Sequence, residues 1–358
     1  QIGGRRNIII NGAMNVAQRG TSSTSSGIYT VDRVRAEFTG TDEAPTQAQV
    51  DVTSGTSPYT EGFRKALKIT NGNQTSGAGA ADFVRIRTNH EGSNLATSGW
   101  NYTSSSSFIT VQFWVRSSVA QTYQAYVRAM ATTSQVYVWE FALSANTWTK
   151  VIKTIPGNSN IVFDNNNQNG LELSILPFMG TDYTTESPTL NAWGAFSGGG
   201  SRKDMTSTWY TTNDATFELT GLQLEVGSQA TAFEHLSFGE ELSLCQRYFC
   251  RLQPGASYIN YGMGGAYSST QAVAQVNFPA SLRAYPTFSY NGALNTFYDI
   301  VGGFTSFSAM TITQAMGSST TGYQWANIQV VGSGTAGNPF MLATLNNTNT
   351  YMDFDSEL

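Results

Sequence analysis

Residues 217–254 read FELTGLQLEVGSQATAFEHLSFGEELSLCQRYFCRLQP, and the fold turns on how this stretch is read. Apolar residues alternate through 217–226, the period of a half-buried strand. The phase changes at Thr220-Gly221: Phe217 and Leu219 hold one parity, Leu222, Leu224 and Val226 the other. A bulge at Gly221 would restore the phase and keep both sets on the core. Ser237 and Glu240 then have the spacing of a capping box. Glu240 and Glu241 suit the positive end of a helix dipole, Arg247 and Arg251 its negative end. Leu242, Cys245, Tyr248, Phe249 and Leu252 recur at helical spacing, and Pro254-Gly255 stops the run. The pattern predicts one helix over 237–253, connecting two β-domains; a surface helix on one domain is the plainer alternative.

The rest of the chain supports a β reading. Of 358 residues only 12% are charged, about half the usual share. Gly numbers 35, Phe 20, Tyr 17 and Trp 7, so a large core is within reach and disorder is excluded. A net charge of −5 gives no electrostatic reason to expect nucleic acid. No apolar run reaches membrane-spanning length. Cys245 and Cys250, five apart on one expected helix, would point about 140° apart and stay unbridged.

Strands are expected at 8–10, running into the Asn11-Gly12 turn, and at 29–34, 47–52, 66–70 and 83–87. The clearest alternation is Ile109, Val111, Phe113 and Val115; 123–130, 136–143 and 148–155 follow at the spacing of a meander. Further strands are expected at 171–175 and 217–226. Beyond the helix the pattern restarts at 257–261, 272–278, 287–290, 310–313, 325–331 and 351–354. No fixed-period repeat points to a solenoid. The reading is all-β: an N-terminal jelly-roll β-sandwich over 1–236, one linking α-helix over 237–253, and a C-terminal antiparallel β-sandwich or barrel over 254–358.

Enzyme signals are weak. The two histidines, His90 and His235, have no metal-ligand spacing, and no nucleophile elbow or phosphate loop is present. Glu140, Asp164, Glu172 and Asp182 are the candidate glycosidase acids, each better read as part of a solvated face. The run DNNNQN at 164–169 offers oxygen ligands for calcium but reads more simply as a turn. The expectation is a non-enzyme that needs no metal or cofactor. Loops instead combine aromatics with planar polar groups: Trp100 and Tyr102 about Asn101, Trp193 near Asn191, and Trp209 and Tyr210 near Asp214. Sugars are held by such sets, an aromatic face against the pyranose and amides or carboxylates on its hydroxyls. Core packing is the competing reading for each tryptophan.

Three segments together resemble a family of tailed-bacteriophage tail fibre or tail structural proteins: 3–20 (GGRRNIIINGAMNVAQRG), 29–33 (YTVDR) and 219–245 with its continuation CQRYF. Residues 112–117 (QFWVRS) and the ending 351–358 (YMDFDSEL) fit the same pattern. Val34 stands where that family has Trp, and Ala232 where Pro is common. The opening N-G strand and a final strand bearing Gln-Leu-Glu also resemble carbohydrate-binding jelly rolls. Many of those carry a structural calcium on acidic residues, where this chain has Asn15 and Thr220-Gly221. The resemblance implies a virion protein, assembled in the host cytoplasm and acting outside the cell, without membrane insertion. It further implies a homotrimeric receptor-binding adhesin whose partners are host cell-surface polysaccharide and other virion proteins. A decoration protein, a depolymerase and a free carbohydrate-binding module are the alternatives.

Overall fold

The structure is a computed structural model describing residues 5–130, 133–253, 255–256, 258–292, 297–299, 301, 303–318, 322–344 and 349–358. The chain divides into two compact units, Gln1–Glu241 with Leu358, and Leu242–Glu357.

The first unit contains β1 (Ser22–Ser23), β2 (Arg35–Thr39), β3 (Thr46–Asp51), β4 (Lys65–Thr70), β5 (Phe83–Glu91) and β6 (Phe108–Ser117). It continues with β7 (Gln121–Ala129), β8 (Gln135–Leu143), β9 (Thr149–Pro156), β10 (Asn169–Met179), β11 (Trp193–Ala195) and β12 (Thr216–Val226). They form two six-stranded sheets, ordered β1-β3-β4-β12-β6-β9 and β11-β8-β7-β10-β5-β2. Inward-facing residues of both, among them Leu67, Phe113 and Leu224 of the first and Ile86, Tyr123 and Leu173 of the second, share one core. This is a jelly-roll sandwich. The expected meander is corrected: β6 pairs with β9 in one sheet, while β7 and β8 form a hairpin in the other. Spacing fixes the order of strands along a chain, but not the sheet each joins.

The phase change in β12 is a bulge. Its register with β6 shifts between Thr220 and Gln223, and Gly221 has φ +65°. A Cβ there would stand 2.7 Å from Phe63 Cζ. Phe217, Leu219, Leu222 and Leu224 all reach the core, so the bulge does the work the alternation required of it.

Two expected strands are not strands. Ile8, Ile9 and Ile10 are buried, and Ile8 N donates to Leu224 O at 2.9 Å, but the Asn7 side chain supplies the bonds beside it. Asn7 Nδ2 donates to Leu222 O at 3.1 Å, and Asn7 Oδ1 accepts from Leu224 N and Ile9 N at 3.0 Å each. In 29–34 the chain turns instead, with Arg33 at φ +67° and Val34 N donating to Val31 O. Val31 and Val34 are buried all the same.

The helix spans Phe238–Gln246, and the division between units falls inside it. Its capping box forms: Ser237 N donates to Glu240 Oε2 at 3.0 Å, and Glu240 N to Ser237 Oγ at 3.3 Å. The expected helix to 253 is corrected, because β13 (Phe249–Leu252) takes its second half. Cys250 and Arg251 therefore lie on a strand, where Arg251 pairs with Asp353 at 2.7 Å rather than meeting a helix end. Both cysteines are buried and unbridged. Pro254, the expected helix stop, lies outside the described residues, as does Ser257, the start of the expected strand 257–261.

The second unit adds β14 (Asn260–Ala266), β15 (Gln271–Leu282), β16 (Thr287–Asn291), β17 (Phe297–Asp299), β18 (Phe304–Ser318), β19 (Gly322–Gly334), β20 (Pro339–Thr344) and β21 (Tyr351–Asp355). A three-stranded sheet, β13-β21-β16, and a six-stranded one, β17-β20-β14-β15-β19-β18, are both antiparallel. Cys250, Met352 and Phe354 of the smaller sheet share a core with Ala274, Ile328 and Phe340 of the larger. Between residues 254 and 350 the sequence has only two charged residues, Arg283 and Asp299. Both are buried. Residues 254–350 therefore meet water almost entirely through hydroxyls, amides, backbone and apolar groups, and the remaining charges of this unit, Arg247, Arg251, Asp353, Asp355 and Glu357, lie at the two ends of its sequence.

Candidate functional site

Strand alternation puts a charged array on the outer face of the second sheet of the first unit. Ile86, Val127 and Leu173 face the core, so Arg85, Arg87, Tyr126, Arg128, Glu172 and Ser174 face away from it. Register then assembles rows across the strands. Arg35 stands opposite Arg87, Arg87 opposite Ser174, and Ser174 opposite Tyr126. Glu37 stands opposite Arg85, and Glu172 opposite Arg128. Like charges facing each other repel, and the two glutamates lie between them.

Glu37 accepts from Arg85 Nε at 2.6 Å and from Arg87 Nη2 at 2.8 Å. Glu172 is buried. It accepts from Tyr126 Oη at 2.5 Å, Ser174 Oγ at 2.8 Å and Arg87 Nη1 at 3.4 Å, with Arg85 Nη1 at 3.8 Å. Burial works against its charge, yet the bond from Tyr126 and the Arg85 and Arg87 guanidinium groups hold its carboxyl below the usual range. Burial drives the Tyr126 phenol upward, so it stays a donor.

The long connection from β10 to β12 roofs half of this face. Tyr183, Leu190, Phe196 and Met205 pack over Tyr126, Val136, Val138 and Leu176. Gln124 clamps the roof to the sheet, donating to Lys203 O at 2.7 Å and accepting from Lys203 N at 3.1 Å. Arg202 descends from the roof to donate to Tyr126 Oη at 3.2 Å. Arg128 lies 3.5 Å over the Phe196 ring, a cation–π contact. Beside the roof is a notch of about 190 Å³ lined by Val136, Val138, Glu186, Pro188, Trp193 and Ser201 among others. The face can thus offer cations, an aromatic edge and hydrogen-bond donors to one extended ligand.

The aromatic residues expected to touch sugar do not form one site. Trp100 is buried, donating from Nε1 to Ser107 O at 3.3 Å, and half-buried Tyr102 meets Phe163 edge-on at 4.9 Å. Trp209 and Tyr210 are fully buried. Trp209 Nε1 donates to Thr216 O at 3.1 Å, and Tyr210 stacks on Phe178 at 4.5 Å. Trp100, Trp209 and Tyr210 are core residues with no free ring face, which corrects their assignment. Asp214 sits exposed in a turn with φ +56°. Trp193 alone borders a cavity, though its Nε1 donates to Pro156 O at 2.6 Å. Of the four candidate acids, Glu140, Asp164 and Asp182 are exposed and Glu172 is not. The run 164–169 is a turn whose Asn166 and Gln168 carbonyls accept from Ser93 N and Gly92 N. Sequence reasoning passed over Arg85, Arg87, Arg128 and Arg202. Their signal was available: an Arg-Ile-Arg alternation inside a strand, in a chain so poor in charge.

The elbow of the opening stretch does a different job. Glu234 accepts from Arg6 N at 3.0 Å and Asn7 N at 2.6 Å, and His235 Nε2 bonds Glu61 O at 2.8 Å. Phe233 meets Phe63 at 4.8 Å. A groove of about 490 Å³ runs beside it, lined by Glu61, Gln112, Lys150, Ile152, Phe233 and His235 among others. Glu61 is held there by Trp114 Nε1 at 3.0 Å and Lys150 Nζ at 2.9 Å. The polar groups of the motif are consumed in holding the first unit together.

No family model matches the sequence, and no curated protein matches it significantly. Among solved structures, the enzymatically active domain of bacteriophage CBA120 tailspike protein 4 matches at 7% identity and a TM-score of 0.33, over 62% of this chain and 21% of that one. A sugar-binding protein of Bacteroides thetaiotaomicron, so described provisionally, matches at 10% and 0.32, over 62% of this chain and all of its own. The N-terminal cellulose-binding domain of Cellulomonas fimi β-1,4-glucanase C matches at 14% and 0.28, over 60% and 99%. At these identities and scores the likenesses carry no argument about what this chain binds.

Proposed function

We propose that this chain is a non-enzymatic glycan-binding protein of a bacteriophage virion, a tail fibre component or receptor-binding adhesin. The observation that carries the binding part is the half-roofed outer face of β2, β5, β7, β10 and β8. It sets guanidinium groups beside Phe196 and a Trp193-lined notch on a rigid sheet. Sheet-mounted polar groups beside aromatic side chains suit a sugar chain laid across the strands. The virion part rests on the resemblance of segments 3–20, 29–33 and 219–245. A homotrimer is part of the proposal, since closed symmetry covers sheet edges that a lone subunit leaves open.

The test is saturable binding of the soluble protein to bacterial cells and to their isolated surface polysaccharides, with reducing sugar measured in the same samples. Saturable binding without sugar release is expected. No binding to any cell or polysaccharide sinks the adhesin reading, and released reducing sugar would make the protein a depolymerase. The charge-poor surface of residues 254–350 favours one further reading, contact with other virion proteins. Retention by a purified particle lacking this protein, with no cell binding, would support that instead.

A further inference from the structure

On the outer face of β2, β5, β7 and β10 the charges do not balance, and the imbalance narrows the glycan-binding reading on which this inference rests. Glu37 and Glu172 are both occupied, each by Arg85 and Arg87. Arg35 also lies on Glu37, at 3.8 Å. The other two guanidinium groups of the face have neutral partners. Arg128 Nη2 donates to Ser134 Oγ at 3.2 Å and lies over Phe196. Arg202 donates to Gly198 O at 3.1 Å and to Tyr126 Oη at 3.2 Å. Among the described residues neither has a carboxylate within ion-pair distance. Glu140 is on the same face but stands opposite Gln124, four residues along β7 from Arg128 and so roughly 13 Å away.

The donors are in surplus too. Nε of Arg87, Arg128 and Arg202 is buried without an acceptor. A buried donor left without an acceptor is costly, and a ligand acceptor would relieve that cost. Burial and the positive charges of Arg202 and Arg85 press on the charged form of Arg128, against the pull of Glu172 and Tyr126. Five guanidinium groups, those of Arg35, Arg85, Arg87, Arg128 and Arg202, around two spent carboxylates make an anion site on a protein whose net charge is −5.

We propose that this face binds an acidic glycan, with a sugar carboxylate seated on Arg128 beside Arg87, and with buried Arg202 adding positive charge from within the roof. The planar fork of a guanidinium matches a carboxylate through two parallel hydrogen bonds, which a lysine ammonium cannot reproduce. Glu172 and Tyr126 lie beneath and hold the arginines in place. A neutral glucan would leave the surplus charge unmet.

Binding of the full chain to polygalacturonate, alginate and polysialic acid tests this, with dextran as the neutral polymer and dextran sulfate as the polyanion without carboxylate. At least one carboxylate polymer is expected to bind and dextran is not. Arg128→Gln is expected to weaken carboxylate binding about ten-fold or more, and Arg128→Lys to recover only part of it. Arg128→Gln gives up the stack on Phe196 and is expected to melt slightly below the parent while staying folded at the binding temperature; the lysine variant keeps the charge should the glutamine one fail to fold. Dextran bound as well as the acidic polymers would overturn the inference while leaving glycan binding intact. Dextran sulfate bound as tightly as they are, and unchanged by Arg128→Gln, would reduce the face to a polyanion adsorber and also overturn it. Failure of all three carboxylate polymers would overturn the inference alone; the glycan-binding reading falls only if bacterial cells and their isolated polysaccharides fail to bind as well.

Discussion

At the scale of single residues, burial decides chemistry in this protein more than residue type does. His90 sits in the first unit with its Nε2 3.0 Å from Thr88 Oγ1. Burial, reinforced by the positive charges of Arg33 and Arg5, lowers its pKa to about 3. The unfolded chain keeps a value of about 6.5. Below that value the unfolded state takes up a proton that the folded state refuses. The contribution of neutral His90 is therefore complete above about pH 6.5 and is lost progressively as pH falls toward 3, at up to about 1.4 kcal/mol per pH unit. His90→Gln is expected to be less stable at pH 7 and to have a flatter decline between pH 6.5 and 4, measured by urea unfolding. Parallel declines for the two proteins would show that His90 is not what makes the unit acid-sensitive. The same logic removes Trp100, Trp209 and Tyr210 from the surface. Their indole and phenol groups find carbonyl acceptors inside the unit, so a polar tip did not mean a wet one.

At the scale of elements, the elbow shows what one carboxylate can hold. Glu234 gathers the amides of Arg6 and Asn7 onto the final strand of the sandwich. Glu234→Ala is expected to lower the unfolding free energy by about 2–4 kcal/mol, because two charge-assisted bonds go at once. Ser237→Ala, which removes one side of the capping box, should cost only about 1 kcal/mol. Equal and small effects in thermal or urea unfolding would mean that the opening segment is not anchored there. The β12 bulge, the capping box and most strand positions were legible because each leaves a local signature: a phase change, an S-x-x-E spacing, an alternation. Three things were not. The second half of the expected helix is a strand because Cys250, Arg251 and Leu252 find partners a hundred or more residues away on β21. Ile8–Ile10 are buried without forming a strand because one backbone bond, from Ile8 N to Leu224 O, is joined by bonds from the Asn7 side chain. The arginine face was invisible since strands 35–39, 83–91, 121–129 and 169–179 meet only through register, which no local spacing reports.

At the scale of the molecule, charge is partitioned between the two units. Nearly all of it lies before residue 254, and the second unit displays apolar side chains instead. Seven of the eleven large apolar residues exposed among those described fall there: Tyr258, Ile259, Met263, Tyr267, Tyr285, Val301 and Met316. A surface without like charges does not repel its own copies, and β18 closes its sheet as a fifteen-residue edge. Light scattering on a sizing column should return three times the chain mass if the homotrimer proposal holds; a persistent monomer at high concentration would sink it. The same partition has a second consequence, for proteases. Beyond Arg251 the sequence holds one arginine and no lysine. That residue, Arg283, is buried with its guanidinium on the carbonyls of Ser356 and Glu357 at 2.8 and 2.9 Å. Trypsin, which cuts only after lysine and arginine, meets no accessible bond from residue 252 onward, so a fluid rich in that enzyme would spare this part of the chain.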